Sequence, residues 1–273
     1  MKFGKVFEDE NVLVVNKPSG LVVNRSETTR EETLQDQLSD YFQLSKGDLG
    51  IGDRVGIVHR LDRETSGLLV VAKKQKVFDF LQKQFKARNV KKEYIALVHG
   101  EVKNDTGSIT AQIGRIGKFG KFGIVHKSNL RGSRINNLVG LESGGRDSVT
   151  RYEVIKEHKF DDKKFENILH EKNFTKSRIN YLNNHGREYA LLKIMPLTGR
   201  THQIRVHLKS IGHPVVSDRI YSPTKLLKFD LSWCPRLFLH ASFLGFKISK
   251  TKSPLSFRLD LPKELKSAIL NLS

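Results

Sequence analysis

The run His59-Arg60-Leu61-Asp62-Arg63-Glu64-Thr65-Ser66-Gly67-Leu68-Leu69-Val70-Val71-Ala72-Lys73 constrains the fold more than any other stretch of this chain. It sets one carboxylate, Asp62, among Arg60, Arg63 and a Thr-Ser-Gly turn, directly before an unbroken apolar segment. Leu68 to Ala72 is short, continuous and rich in β-branched residues, the pattern of a buried strand. Gly67 and its hydroxyl neighbours favour a tight turn into that strand. Asp62 then lies on a loop braced by a rigid element, where catalytic groups are commonly held. Taken alone, the run has a second reading: an Asp that caps a turn and pairs with a neighbouring Arg.

Size and charge narrow the field. A chain of 273 residues can bury a substantial core. No internal repeat and no Pro- or Ser-rich linker divides it, so one continuous catalytic domain over 1–273 is expected. Lys and Arg number 48 against 29 Asp and Glu, a formal net charge of +19. Such an excess repels itself unless a polyanion neutralises it, which makes nucleic acid the leading partner. A membrane surface comes second, although no apolar segment reaches spanning length. Met1 to Glu10 mixes Lys with Glu and Asp and lacks an apolar signal region, so cytoplasmic residence is the expectation. The single Cys234 excludes an internal disulfide framework and any multi-cysteine zinc site.

Hydrophobic patterning places the elements. Val12 to Val15 is an apolar strand ending at the turn Lys17-Pro18-Ser19-Gly20, and Leu21 to Val23 resumes an extended course. Thr33 to Leu44 suits a short amphipathic helix, and Lys76 to Arg88 a second one carrying Val77, Phe78, Leu81 and Phe85 on one side. Tyr94 to His99 reads as a strand buried on both sides. The stretch from Ile109 to Gly123, which includes Lys118 and Lys121, is too glycine-rich for a helix. It is either a basic arm, extending to about residue 146, that lies on phosphates, or a solvated hairpin. Thr150 to Ile155 and Tyr189 to Met195 are further strands.

Thr201 to Ile211 has the spacing of a helix, with Ile204, Leu208 and Ile211 on one face. Thr201, His202, Arg205 and Lys209 fall on another. Gly212 stands where a C-terminal cap belongs, and Pro214 prevents continuation. That cationic face suits a phosphate or a carboxylate, although such faces are also commonly just solvated.

Several blocks, in order, closely resemble the RluA family of RNA pseudouridine synthases. His59 to Leu68 carries every fixed letter of its H-R-L-D-x-x-T-S-G-L motif. Lys17-Pro18-Ser19-Gly20-Leu21 resembles its K-P-x-G-L block, and Lys92 to Gly100 its K-x-Y-x-A-x-V-x-G block. Leu197 to Leu208, then Gly212-His213-Pro214 with Asp218 and Tyr221, continue the series, and Leu239-His240-Ala241 closes it. The resemblance implies an α+β fold: a mixed, largely antiparallel central sheet flanked by helices, with a catalytic cleft across it. It makes Asp62 the catalytic carboxylate, Arg205 the guanidinium that pairs with it, and Tyr94 the active-site tyrosine. Arg60 matches a residue that fills the gap left when the uridine leaves its stack. Arg63, Arg200 and His202, with Lys118 and Lys121 of the glycine-rich stretch, are the further candidates for RNA contact.

The implied reaction isomerises uridine to pseudouridine within ribosomal or transfer RNA, and it requires no cofactor and no metal. An N-terminal S4-type domain is not expected, the chain is expected to be a monomer, and the polar stretch near 156–186 is longer than its family counterpart. It is expected to be an insertion with partial helix. Two other readings differ in class. A non-catalytic RNA-binding or ribosome-assembly protein on the same scaffold would need neither Asp62 nor Arg205. A glycosidase would ordinarily need two positioned carboxylates, and no motif recruits Glu64 for that role.

Overall fold

Residues 2–27, 29–44, 50–116, 121–125 and 145–273 are described by a computed structural model. The chain divides into two compact units, one of residues 1–94 with 239–261 and the other of residues 95–238 with 262–273. No linker separates them, because the first crossing, between Tyr94 and Ile95, falls inside a strand.

The first unit grows from two apolar strands whose side chains alternate between faces. Strand β1 (Gly4–Glu8) pairs antiparallel with β2 (Val12–Lys17). A capping box at Thr33 and Asp36 starts helix α1 (Leu34–Tyr41). Leu21 to Val23 approaches it in extended form without joining a sheet; Val22 and Val23 accept from the Leu34 and Gln35 N–H groups. Strand β3 (Ser66–Ala72), buried throughout, pairs antiparallel with β2 from Val12↔Ala72 to Lys17↔Gly67. Val12, Val14, Leu68 and Val70 then pack with Val77, Phe78 and Leu81 of helix α2 (Gln75–Lys86). Leu13, Val15, Leu69 and Val71 point the other way, onto Leu34 and Leu38 of α1 and onto Leu61 of the Asp62 loop. The period of two therefore seats the loop by its leucine, since burying a Leu is worth roughly 1.5–3 kcal/mol.

Strand β4 (Lys91–His99) carries the chain from the first unit into the second. Burial on both sides was expected along it, but only Ala96 to His99 is fully buried. The described part of the glycine-rich stretch forms two paired strands. β5 (Thr106–Ile116) turns back as β6 (Lys121–Ile124), antiparallel from Ile113↔Ile124 to Ile116↔Lys121. Lys118 lies outside the described residues. On its other side β5 pairs with β7 (Arg146–Lys159), which continues well past the expected Ile155. Helices α3 (Asp162–Glu171) and α4 (Lys176–His185) follow, each capped by a side chain, Asp161 and Thr175. Strand β8 (Glu188–Pro196) returns beside β7. Helix α5 (Gln203–Ser210) and helix α6 (Thr224–Trp233) come next.

Strand β9 (Leu239–Phe246) belongs again to the first unit, where it runs parallel to β3 and antiparallel to β10 (Leu255–Arg258). The chain ends in helix α7 (Lys263–Ile269) of the second unit. The arrangement is the mixed, mostly antiparallel α+β sheet architecture, flanked by helices, that the motifs imply.

Gly67 is not in the turn that was expected of it. The turn closes earlier, where the Thr65 N–H donates to the Asp62 carbonyl, and Gly67 is already the second residue of β3. Its φ is +119°, and a Cβ there would lie 2.3 Å from the Ala241 carbonyl oxygen and 2.7 Å from the Ala241 nitrogen. The glycine is what lets β9 approach β3. Gly67→Ala should therefore cost about 3 kcal/mol or more, read as a lowered midpoint in urea unfolding with an unchanged slope.

Candidate active site

Asp62 is held by its neighbours in sequence and by one buried cation. Lys17, at the end of β2, is 0% exposed. Its Nζ donates to the carbonyls of Pro18 (2.8 Å), Leu21 (2.9 Å) and Arg63 (3.0 Å), the last belonging to the residue after Asp62. The Gly20 N–H donates to the same Arg63 carbonyl at 2.8 Å, and Ser19 Oγ to the Glu64 carbonyl at 2.7 Å. The Lys-Pro-Ser-Gly turn and the Asp62 loop are thus clasped through main-chain oxygens. A buried ammonium is tolerable only when its donors are used in this way. Arg63 adds an outer tie, with its guanidinium on Glu31 at 2.8 Å and on the Gly20 carbonyl.

His59 fixes the other side of the loop. Its Nε2 accepts the Val70 N–H of β3 at 3.1 Å, and its ring stacks on Phe85 of α2 with centroids 4.5 Å apart. Burial first, and then the Lys92 ammonium, push its pKa down to about 3. The acceptor nitrogen therefore stays unprotonated at neutral pH. Ser66 and His240 are both buried and share a hydrogen bond of 2.8 Å, which joins the start of β3 to β9.

Tyr94 stands in β4, partly buried. Burial, and after it the Asp62 carboxylate, raise its phenol well above the usual range. The carboxylate and phenol expected to share a site are thus electrostatic neighbours within one unit. A phenol that keeps its proton can donate to a carboxylate, a ribose or a base. Arg60 is exposed to solvent.

In the second unit, α5 departs from the expectation drawn from its spacing. Gln203 to Leu208 are all buried, so the helix has no solvated cationic face until Lys209. Thr201 and His202 precede the helix, and His202 has φ +55°, left-handed and outside the helical repeat. Arg205 is 2% exposed and forms a bidentate pair with the fully buried Asp218. Nε reaches Oδ2 at 2.7 Å and Nη2 reaches Oδ1 at 2.7 Å. Asp218 Oδ1 also accepts the Ile220 and Tyr221 N–H groups. Removing one member of such a pair strands a buried charge, worth roughly 3–5 kcal/mol.

Gln203 fastens the segment ahead of α5. Its Oε1 accepts from Thr198 Oγ1 and from the Arg200 N–H, while its Nε2 donates to Val149 O and Thr150 Oγ1. Arg200 Nε reaches the Asp147 carbonyl at 3.3 Å. His202 Nδ1 shares a 2.9 Å hydrogen bond with the Tyr221 hydroxyl. That hydroxyl also accepts the Phe122 N–H of β6, and Lys121 Nζ lies 5.9 Å from the Tyr221 ring. The β5–β6 hairpin is therefore tied to the segment after α5. His207, fully buried, bonds Ser148 Oγ and Thr150 Oγ1, and burial pushes it down to about 4.

Residue types alone did not reveal that Lys17 and His59 hold the Asp62 loop in the first unit, or that Gln203 and Asp218 hold the segment around Arg205 in the second. All four lie inside the motif blocks, so position in a motif was their only signal. Among the described residues, no group of three or more His, Cys, Asp or Glu side chains is placed to hold a metal ion. No described helix is long and apolar enough to cross a membrane.

The first unit thus holds a clasped aspartate loop with the Tyr94 phenol as its electrostatic neighbour, and the second a buried arginine–aspartate pair. The sequence profile of RNA pseudouridylate synthases matches residues 11–210, and the chain belongs to that family. It is 33% identical over 266 residues to an uncharacterised RNA pseudouridine synthase of Bacillus subtilis, covering 97% of this chain and 71% of the relative. It is 28% identical over 268 residues to the ribosomal large subunit pseudouridine synthase C of Vibrio vulnificus, covering 98% and 68%. Among solved structures, human RNA pseudouridylate synthase domain containing 1 superposes with a TM-score of 0.67 at 27% identity, covering 100% of this chain and 88% of that one. The chain is an RNA pseudouridine synthase, an isomerase.

Two outcomes follow from these contacts. Lys17→Met leaves the clasped carbonyls without their donor and should lower stability by about 2 kcal/mol or more, measured by urea unfolding. His59 and His207 have folded pKa values below the usual 6.5. The unfolded chain therefore binds more protons than the folded one as pH falls below about 6.5, and stability is lost across that range down to about 3. A His59→Gln variant should show a shallower fall in melting temperature between pH 6.5 and 4 than the wild type.

Proposed function

We propose that this enzyme isomerises specific uridines of ribosomal or transfer RNA, with Asp62 supplying the essential carboxylate. The observation that carries the reading is the aspartate's setting: a loop locked by Lys17, Leu61 and His59, with a protonated phenol as its electrostatic neighbour. A carboxylate that must attack a sugar or a base, or assist loss of the base, needs a fixed direction more than a shifted pKa. The glycosidic bond breaks, the base turns, and a carbon–carbon bond forms to the same ribose, so nothing is gained or lost overall.

In this reading Arg205 pairs with Asp62, a role that rests on the motif match, while Asp218 holds the guanidinium from its other edge. Tyr94 packs against the target base. Arg60 occupies the stack that the uridine leaves, since a planar cation stacks on bases and satisfies phosphates. Extruding the uridine costs a few kcal/mol, which basic contacts from Arg63, Arg200, His202, Lys118 and Lys121 offset. Ribosomal RNA is supported as substrate by the likeness to the ribosomal large subunit pseudouridine synthase C of Vibrio vulnificus. The protein then works as a monomer in the cytoplasm, without cofactor or metal.

Asp62→Asn should abolish pseudouridine formation and leave RNA affinity within about twofold, because it removes a charge that repels phosphate. Pseudouridine mapping of total RNA from cells lacking the protein, rescued by wild type or by this variant, is the test. Restoration of the lost sites by Asp62→Asn refutes the assignment.

A further inference from the structure

Helices α4 and α6 pack together in the second unit and carry exposed charge of one sign only. α4 contains Lys176, Arg178 and His185 and no acid. α6 contains Lys225 and Lys228; its single acid, Asp230, is fully buried and engaged with His99 Nε2 at 2.9 Å and the Ser217 N–H at 3.1 Å. A partly buried aromatic residue, Tyr181, lies among these cations. The His185 ring sits 4.5 Å from its centroid and Lys225 Nζ 5.0 Å from it.

The same tyrosine lines a cleft of about 400 Å³ together with Asn184, His185, Glu188, His213 and Leu226. That volume is within the range of roughly 300–1,000 Å³ found for small-ligand sites. His99 also contributes to its wall, 3% exposed, and the Nδ1 of its ring has no hydrogen-bond partner among the described residues. A tyrosine ring with one ammonium over it and one imidazole against it, beside a cleft with amide, imidazole and carboxylate groups, is the equipment for holding one unpaired nucleotide. The ring takes the base, the lysines take flanking phosphates, and Glu188 can accept from a ribose hydroxyl or an exocyclic amine. An acidic peptide would use the lysines but has no use for the ring and the carboxylate.

We propose that the α4–α6 face is a second RNA-contact site, at which an unpaired nucleotide of the substrate stacks on Tyr181 while Lys225 and Lys228 hold the adjoining phosphates. The site selects RNA and takes no part in the chemistry at Asp62. It rests on RNA being the substrate of this enzyme; Tyr181, Lys225 and Lys228 lie outside the motif blocks that carry the catalytic reading, although the cleft wall includes motif residues such as His99 and His213.

The test uses the full chain and a fluorescein-labelled single-stranded oligouridylate, with affinity read by anisotropy across a salt series. Tyr181→Ala should weaken binding about 5- to 100-fold, the equivalent of one lost base stack, and Tyr181→Phe should bind as the wild type does. The Lys225→Ala/Lys228→Ala double variant should flatten the plot of log affinity against log salt by about 1.4, two phosphate contacts on a single strand. Both substitution sites lie at the surface, and urea unfolding of each variant checks that the fold is retained. Unchanged affinity in Tyr181→Ala, an unchanged salt slope in the double variant, or no oligouridylate binding by the wild type overturns the proposal. The Asp62→Asn protein separates the two readings. If it modifies RNA while Tyr181→Ala binds weakly, the catalytic assignment falls and this site stands. If it is inactive while Tyr181→Ala binds normally, the reverse holds.

Discussion

Three main-chain carbonyls converge on the ammonium of Lys17, and the position of the Asp62 loop follows from that convergence. A lysine buried to this degree is costly unless every donor is used, and here the donors draw together a turn and a loop distant in sequence. Leu61 anchors the same loop from below, in the cluster formed by Leu13, Val15, Leu69 and Val71. His59 adds a third restraint through a hydrogen bond that exists only while its ring is neutral. A charged clamp, an apolar anchor and a titratable pin act on different atoms, so the loop is overdetermined. Such fixing is what the proposed role of the carboxylate would require.

The second unit solves a different problem. Arg205 must remain a cation in surroundings that exclude water, and Asp218 makes that possible with two parallel hydrogen bonds. Asp218 is itself satisfied by two backbone N–H groups, which depend on the chain's turn after Ser217. Ser217 occupies left-handed space at φ +59°, a conformation that favours glycine. Its hydroxyl donates to the Cys234 carbonyl at 2.5 Å, which compensates for a conformation disfavoured by its Cβ.

Much of this was legible in the residues. The apolar run Val12–Val15 and the continuous apolar run after Gly67 located the central strands, because short unbroken β-branched runs are direct signals of a buried sheet. The helical spacing of apolar residues over Thr33–Leu44 and from Val77 to Phe85 did the same for α1 and α2. The misreadings have physical causes. Gly67 was assigned to a turn because glycine usually marks one, whereas its reason is the close approach of β9, a long-range contact with no local trace. Helix α5 was read as amphipathic because Thr201, His202, Arg205 and Lys209 share a polar face at helical spacing, and only tertiary partners could show Arg205 buried. Lys17 was invisible for the same reason: lysines are ordinarily exposed. The aspartate was found through its motif, and its restraints were not.

The excursion between β7 and β8 begins and ends on residues that face each other. Lys159 pairs with Glu188, and the Phe160 N–H donates to the Arg187 carbonyl. Everything from α3 to α4 therefore hangs from a closed ladder rung, and its length is free of the register of the strands beneath it. It is not free of the core, because Phe165 plugs an aromatic nest made with Phe160 and Phe229. A module of another size could hang from the same rung without shifting the strands beneath it, provided the replacement brings its own stopper for the aromatic nest.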